Sequence, residues 1–159
     1  MPLVLRLNPG EKIIINGVVI ENTGGLAMLA IRNRGNILRQ KDILQLDEAA
    51  TPAMRVYYTL QCVYLFPDEA KVYSDALRQF LTDFELAAPT SKPLIDALRA
   101  RLDKGELYPG LKDAKRLIKF EWDLLGTTTE RARQLLLGSD SPKKRAKAGE
   151  QIPEDSEVD

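Results

Sequence analysis

The chemistry this sequence offers near its start is cationic. Arg6, Arg32, Arg34, Arg39 and Lys41 fall on or beside short apolar runs. Arginine presents a planar fork of donors that fits a phosphate or the edge of a guanine, and lysine a compact point charge. Along a β scaffold such groups can hold an unpaired RNA strand. Residues 1–46 carry six basic side chains (Arg6, Lys12, Arg32, Arg34, Arg39, Lys41) against three acidic ones (Glu11, Glu21, Asp42). The whole chain has 23 cationic and 23 anionic side chains, so its formal charge of zero hides a basic first third. Overall neutrality argues against nucleic acid, and a solvent-facing surface accounts for these cations as well as an RNA site does on charge count alone.

No catalytic constellation stands beside them. The chain has no histidine, which excludes a Ser-His-Asp triad and His-ligated zinc and removes the commonest general base at neutral pH. The single cysteine, Cys62, cannot close an internal disulfide or build a Cys-rich zinc site. It sits in the helical stretch YYTLQCVYLF and reads as a buried structural thiol. Carboxylates recur at ordinary helix-surface spacing; Asp113 with Arg116 reads as a solvated i, i+3 contact. Gly24-Gly25 is too little for a phosphate cradle, and no phosphate-loop or nucleophile-elbow motif occurs. The expectation is a protein that is not an enzyme and needs no cofactor and no metal.

The cations must be positioned by strands. Leu3–Leu7 precedes the turn Asn8-Pro9-Gly10, and Lys12–Ile15 and Val18–Ile20 flank Asn16-Gly17, a type I′ hairpin signal. Leu26–Ile31 and Ile37–Arg39 follow, so five short apolar runs within about 40 residues predict a small antiparallel meander or barrel. Ile13, Ile14 and Ile15 in succession make a strand apolar on both faces. It needs cover on both sides, from the following helices or from a second subunit.

From about residue 47 the period becomes helical. Thr51-Pro52 should cap and start a central helix over 52–66 that is apolar nearly all round. Tyr73, Ala76, Leu77, Phe80, Leu81 and Phe84 predict a single-faced second helix. A third, with Ser91 as its expected cap, should stop at Gly105, a fourth at Gly126, and a short turn of helix over Glu130–Leu137 follows. Apolar residues make up 44% of the chain and charged ones 29%, and no run of about 18 apolar residues exists to span a membrane. The first residues lack the pattern of a signal peptide, so the default location is cytoplasmic. The fold class expected is α+β: a β-rich module over 1–46, an α-helical bundle over 47–137, and a disordered tail over 138–159. The tail holds four basic and six acidic residues. Its Lys143-Lys144-Arg145 could touch RNA, but its composition favours a solvated tail.

Two segments add a resemblance. LRLNPGEKIIINGVVI (5–20) and ILRQKDIL (37–44) resemble the CsrA-type RNA-binding pattern, a small homodimeric β module that binds GGA-containing hairpins in messenger leaders. With TPAMRVYYTLQCVYL and the helical remainder, the order of parts over roughly 1–125 looks like the FlbT family. That resemblance implies a post-transcriptional repressor of flagellin synthesis, acting at the 5′ untranslated region of flagellin messenger RNA and promoting its degradation. It also implies a circuit shared with the flagellin chaperone-like protein FlaF. Carried over by position, the strand-one edge Leu5-Arg6 and the strand-five edge Leu38-Arg39-Gln40-Lys41 would face RNA, with Arg32 and Arg34 nearby. Arg39 and Lys41 would share one face by strand alternation.

The competing expectation is a helical adapter that controls flagellin synthesis or secretion through flagellin or FlaF without touching RNA. Its motives are the neutral charge, Gln40 where the CsrA pattern carries an arginine, and aromatics on the helical half, Tyr58, Tyr73 and Trp122, that could be exposed anchors. A homodimer is one way to cover the second face of the β module.

Overall fold

The computed structural model describes residues 2–138. The architecture is α+β. Five strands, β1 (Leu3–Leu7), β2 (Lys12–Ile15), β3 (Val18–Glu21), β4 (Ala27–Ile31) and β5 (Ile37–Arg39), precede five α-helices: α1 (Pro52–Leu65), α2 (Ala70–Ala87), α3 (Lys92–Lys104), α4 (Leu107–Leu125) and α5 (Glu130–Gly138). The expected tail over 138–159, with Lys143-Lys144-Arg145, lies outside the described residues. The chain divides into a strand unit ending at Ile43 and a helical unit over Leu44–Leu137. Leu44 joins the helices because its N–H donates to Gln61 Oε1 and its carbonyl accepts from Gln61 Nε2, both at 2.8 Å.

The strands form two small sheets and not one meander. β1 pairs antiparallel with β4, and the second sheet runs β3-β2-β5. Asn16 (φ +51°) and Gly17 (φ +84°) take the left-handed conformations that a type I′ turn requires, so β2 and β3 form the expected hairpin. Asn16 also receives the Asn36 N–H on its Oδ1 at 2.8 Å and donates its own N–H to the Asn36 carbonyl at 2.9 Å, which brings β5 to β2. The Asn8-Pro9-Gly10 turn does not return β1 onto β2. It carries the chain from one sheet to the other, and Asn22 Nδ2 ties the corner by donating to the carbonyls of Leu7, Asn8 and Gly25 at 3.1, 3.1 and 2.8 Å. Leu5, Leu7, Ile13 and Ile37 form the core between the sheets, with Leu3, Ile15, Leu29 and Ile31 packed against it. Ile14 is buried as well.

In the helical unit, Thr51 Oγ1 accepts the Met54 N–H at 3.2 Å and Pro52 opens α1, as expected. Helix α1 is buried along almost its whole length and lies against α2 and α4. α4 approaches closely at Gly110, where a Cβ would meet Leu60 Cδ2 at 3.2 Å. Glu121 of α4, itself buried, accepts the Ala53 N–H at 3.0 Å and so satisfies one open donor in the first turn of α1. Gly105 and Gly126 end α3 and α4 in the left-handed region (both φ +72°). Ser91 does not cap α3: its backbone is already helical, and its hydroxyl donates back to the Ala88 carbonyl at 2.6 Å. The Asp113–Arg116 contact is present at 3.3 Å, yet Asp113 is buried and is also held by Arg101 Nε at 3.1 Å. It is therefore a tie between α3 and α4 more than a solvated pair.

Candidate nucleic-acid interface

Alternation along β1 decides which of the expected RNA contacts can face solvent. Leu3, Leu5 and Leu7 turn inward while Val4 and Arg6 turn out. β4 alternates the same way, with Met28 and Ala30 exposed. The register sets Val4 opposite Ala30 and Arg6 opposite Met28, so these four share the outer face of one two-stranded ribbon. Arg32 is exposed two residues beyond Ala30, where β4 ends. From the level of Met28 and Arg6 to Arg32 is roughly 13 Å along the strand at ~3.3 Å per residue. Among the described residues, neither Arg6 nor Arg32 meets a carboxylate. The face thus offers two charged forks, with Met28 beside Arg6 across the ribbon and Val4 and Ala30 between that level and Arg32. A guanidinium can fork onto a phosphate, and a thioether or methyl surface can lie on the face of a base.

Other expected contacts do not belong to this face. Leu5 and Leu38 are fully buried, so neither edge leucine faces RNA. The inward phase of β1 forces this for Leu5, which is part of the core between the sheets. β5 ends at Arg39, and Gln40–Asp42 is a 3-10 turn, so alternation does not carry Arg39 and Lys41 onto one exposed strand face. Arg39 is turned inward to a structural task. Its Nη2 lies 3.0 Å from Glu11 Oε2 and donates to the Arg6 carbonyl, which ties β5 and the start of β2 to β1. Gln40 Oε1 accepts the Lys12 N–H at 2.7 Å, and Lys41 Nζ lies 3.2 Å from Asp42, which is buried. Arg34 is exposed in the segment between β4 and β5. Met28 and Val4 were missed as candidates, although the alternation of AMLAI and LVLRL carries the signal.

The three helical aromatics are engaged and only half-buried. Trp122 lies between two cations: Lys119 Nζ is 5.4 Å and the Arg133 guanidinium 5.5 Å from its ring centre. Tyr58, Cys62 and Tyr73 form a hydrogen-bonded cluster on α1 and α2. Burial, then the bond to Cys62, pushes the Tyr58 hydroxyl up to about 12. Burial also raises the Cys62 thiol, against the opposing effect of its bonds to both tyrosines. The thiol is buried, as expected, and stays protonated and inert near neutral pH. The charge of a Cys62 thiolate, then burial, raises Tyr73. Among the described residues no group of acidic, histidine or cysteine side chains could hold a metal ion, and no helix is long and apolar enough to cross a membrane.

Comparison with known proteins gives a consistent family. The family model described as Flagellar protein FlbT matches residues 3–125. The Probable flagellum biosynthesis repressor protein FlbT of Caulobacter sp. (strain K31) is 37% identical over 128 residues, covering 79% of this chain and 98% of that protein. The Probable flagellum biosynthesis repressor protein FlbT 1 of Bradyrhizobium diazoefficiens is 39% identical over 130 residues, 79% of this chain and 86% of that protein. The Flagellum biosynthesis repressor protein FlbT of Caulobacter vibrioides (strain ATCC 19089 / CIP 103742 / CB 15) is 33% identical over 128 residues, 79% and 91%. No solved structure matches the chain.

Proposed function

The chain belongs to the FlbT family of flagellar proteins, and we propose that it represses flagellin synthesis by binding the 5′ untranslated leader of flagellin messenger RNA and promoting its decay. The repressor part follows the names its relatives carry. The RNA part rests on one observation: the outer face of β1 and β4 presents Arg6, Met28 and Arg32, and among the described residues no carboxylate meets the two arginines. Such a face needs no catalytic group. It holds an unpaired strand by charge at its two ends and apolar contact between them. Its place of action is the cytoplasm, where the transcript is. A homodimer belongs to the same reading, since a second copy would cover Val18, Val19 and Ile20 of β3; light scattering across concentrations tests it.

A mobility shift with a flagellin leader tests the site. Arg6→Ala with Arg32→Ala should weaken binding at least tenfold near 0.1 M salt, because each lost phosphate contact forgoes counterion release. Equal binding by the double variant removes the face from the mechanism. Arg39→Ala is the contrast: it should act through stability, because Arg39 holds Glu11 and the Arg6 carbonyl.

A second reading, the adapter working through flagellin or FlaF, draws support from the ion pairs that occupy Arg39 and Lys41. Recovery of FlaF or flagellin with the purified protein after nuclease treatment, together with no leader binding, would favour it.

A further inference from the structure

Strand β3 leaves one edge unpaired. Its sheet runs β3-β2-β5, and among the described residues no strand pairs with the far side of β3. Edge strands are ordinarily guarded by lysine, proline or a bulge, because their open N–H and C=O groups can pair with another chain. Val18, Val19 and Ile20 carry no such guard, and all three side chains are exposed. The opposite edge of the same sheet differs: Ile37 and Leu38 of β5 are fully buried and Arg39 is tied to Glu11. Hydrogen bonding fixes which groups of β3 point outward. Asn22 donates its N–H to the Glu11 carbonyl at 3.0 Å, and its own carbonyl accepts the Gly10 N–H at 2.7 Å, so its backbone is turned to the β2 side. Antiparallel pairing alternates from there. Ile20 and Val18 therefore bond to β2, while the N–H and C=O of Val19 and Glu21 face the open edge. The register also fixes the two faces: Val18 and Ile20 continue the inner face of Ile13, Ile15 and Ile37, and Val19 shares the other face with Ile14 and Leu38.

We propose that β3 pairs antiparallel with β3 of a second copy, Val19 facing Val19, to make one continuous six-stranded sheet. A twofold axis between antiparallel strands sets one residue opposite itself, so the candidate registers are few. Centred on Glu21, the pairing brings two carboxylates face to face, which is repulsive. Centred on Ile20, it sets Val19 against Glu21 and Val18 against Asn22. Centred on Val18, it runs Ile20 against Asn16 of the hairpin turn. Centred on Val19, it sets Val19 against Val19 and Val18 against Ile20, and Glu21 falls opposite Gly17, where no charge meets it. Only this register matches apolar with apolar throughout. It also lets the outward N–H and C=O of Val19 exchange two hydrogen bonds with the same groups of the second copy. The axis stands perpendicular to the sheet, so Val18 and Ile20 of both copies stay on the inner face. The strand edge is thus complementary to itself, which is what a second copy needs and an unrelated strand does not supply. The inference rests on the homodimer reading above and gives that dimer its interface; it does not draw on RNA binding.

Sedimentation velocity of the full chain across concentrations, joined to a cross-linking assay, tests it. The parent should pass from monomer to dimer as concentration rises, and Val19→Pro should stay monomeric. Proline there removes an N–H that β2 does not use, so circular dichroism should match the parent's. The register is read by mixing Val18→Cys with Ile20→Cys, one chain tagged for size, under diamide oxidation. Cys62 is buried and common to both variants. In the proposed register the Cα atoms of position 18 and of position 20 in the second copy lie about 4.5 Å apart, within disulfide reach, whereas each position lies about 8 Å from itself. The mixture should therefore cross-link at least tenfold faster than either variant alone. The same assay decides if V19P does not fold. Mixed cross-linking no faster than self-linking, or a folded V19P that still dimerises, overturns the β3 pairing and leaves the homodimer standing. A parent that is monomeric at every concentration overturns both.

Discussion

Strand β3 and helix α1 are both written in apolar residues, yet they meet opposite fates. Val18 and Val19 of β3 stay 62% and 61% exposed, and Ile20 is open as well, while Val56, Leu60 and Tyr64 of α1 are sealed. Position explains the difference. α1 has α2 on one side and α4 on another, with Gly110 letting α4 come close. β3 is the outer strand of a three-stranded sheet, and its chain neighbours turn away at Gly17 and Gly24. The lesson is a division of labour. Helix α1 places its apolar surface inward and acts as the scaffold of the helical unit, while Val72 and Leu86 of α2 and Leu124 and Leu125 of α4 stay open. The strand unit holds its sheets together with a small core and leaves apolar side chains of β3 and cationic ones of the β1–β4 ribbon open to solvent.

Core truncation is the severest way to break this comparison. Leu60→Ala should cost about 2–5 kcal/mol in urea unfolding followed by far-ultraviolet circular dichroism. Val19→Thr, at an open position, should stay within about 0.5 kcal/mol. A reversal of that order would mean that β3 is covered and α1 is not the scaffold. Thr51→Ala should come next, at about 1 kcal/mol, through loss of the cap on α1. The smallest effect is electrostatic. Arg99, then Lys92, hold Glu85 below its ordinary 4.5, and Lys92, then Arg99, hold Asp96 below 3.8. Both folded values are depressed, so their stabilisation is present above those ordinary values and fades as pH falls through the lowered ones. All these groups are at the surface, so the melting temperature should fall only slightly across that acid range, and Glu85→Gln should make the fall shallower.

Local signals made much of the fold legible. Asn16-Gly17 gave its hairpin, Thr51-Pro52 its helix start, and Gly105 and Gly126 their helix ends, because each acts through its own backbone conformation or the next turn. What depended on distant partners was not readable. Strand β1 skips β2 to pair with β4, and that choice buries Leu5 and turns Arg6 and Met28 outward together. Arg39 finds Glu11, 28 residues earlier in the chain, and so leaves the proposed RNA face for a structural tie. Ser91 looked like a cap from composition, but the chain before α3 is already wound, so its hydroxyl turns back to Ala88. Of the candidate face, Arg6 and Arg32 were legible from their charge, and Met28 beside Arg6 only from the pairing.

The most direct measurement is the salt dependence of leader binding, taken as the slope of log affinity against log salt for the parent chain and for Arg6→Ala/Arg32→Ala. Contact of both arginines with phosphates of an unpaired strand should make the variant's slope shallower by about 1.4, at roughly 0.7 per phosphate. A parent chain with no salt-dependent binding, or a variant with an unchanged slope, would contradict the assignment of the β1–β4 face to RNA.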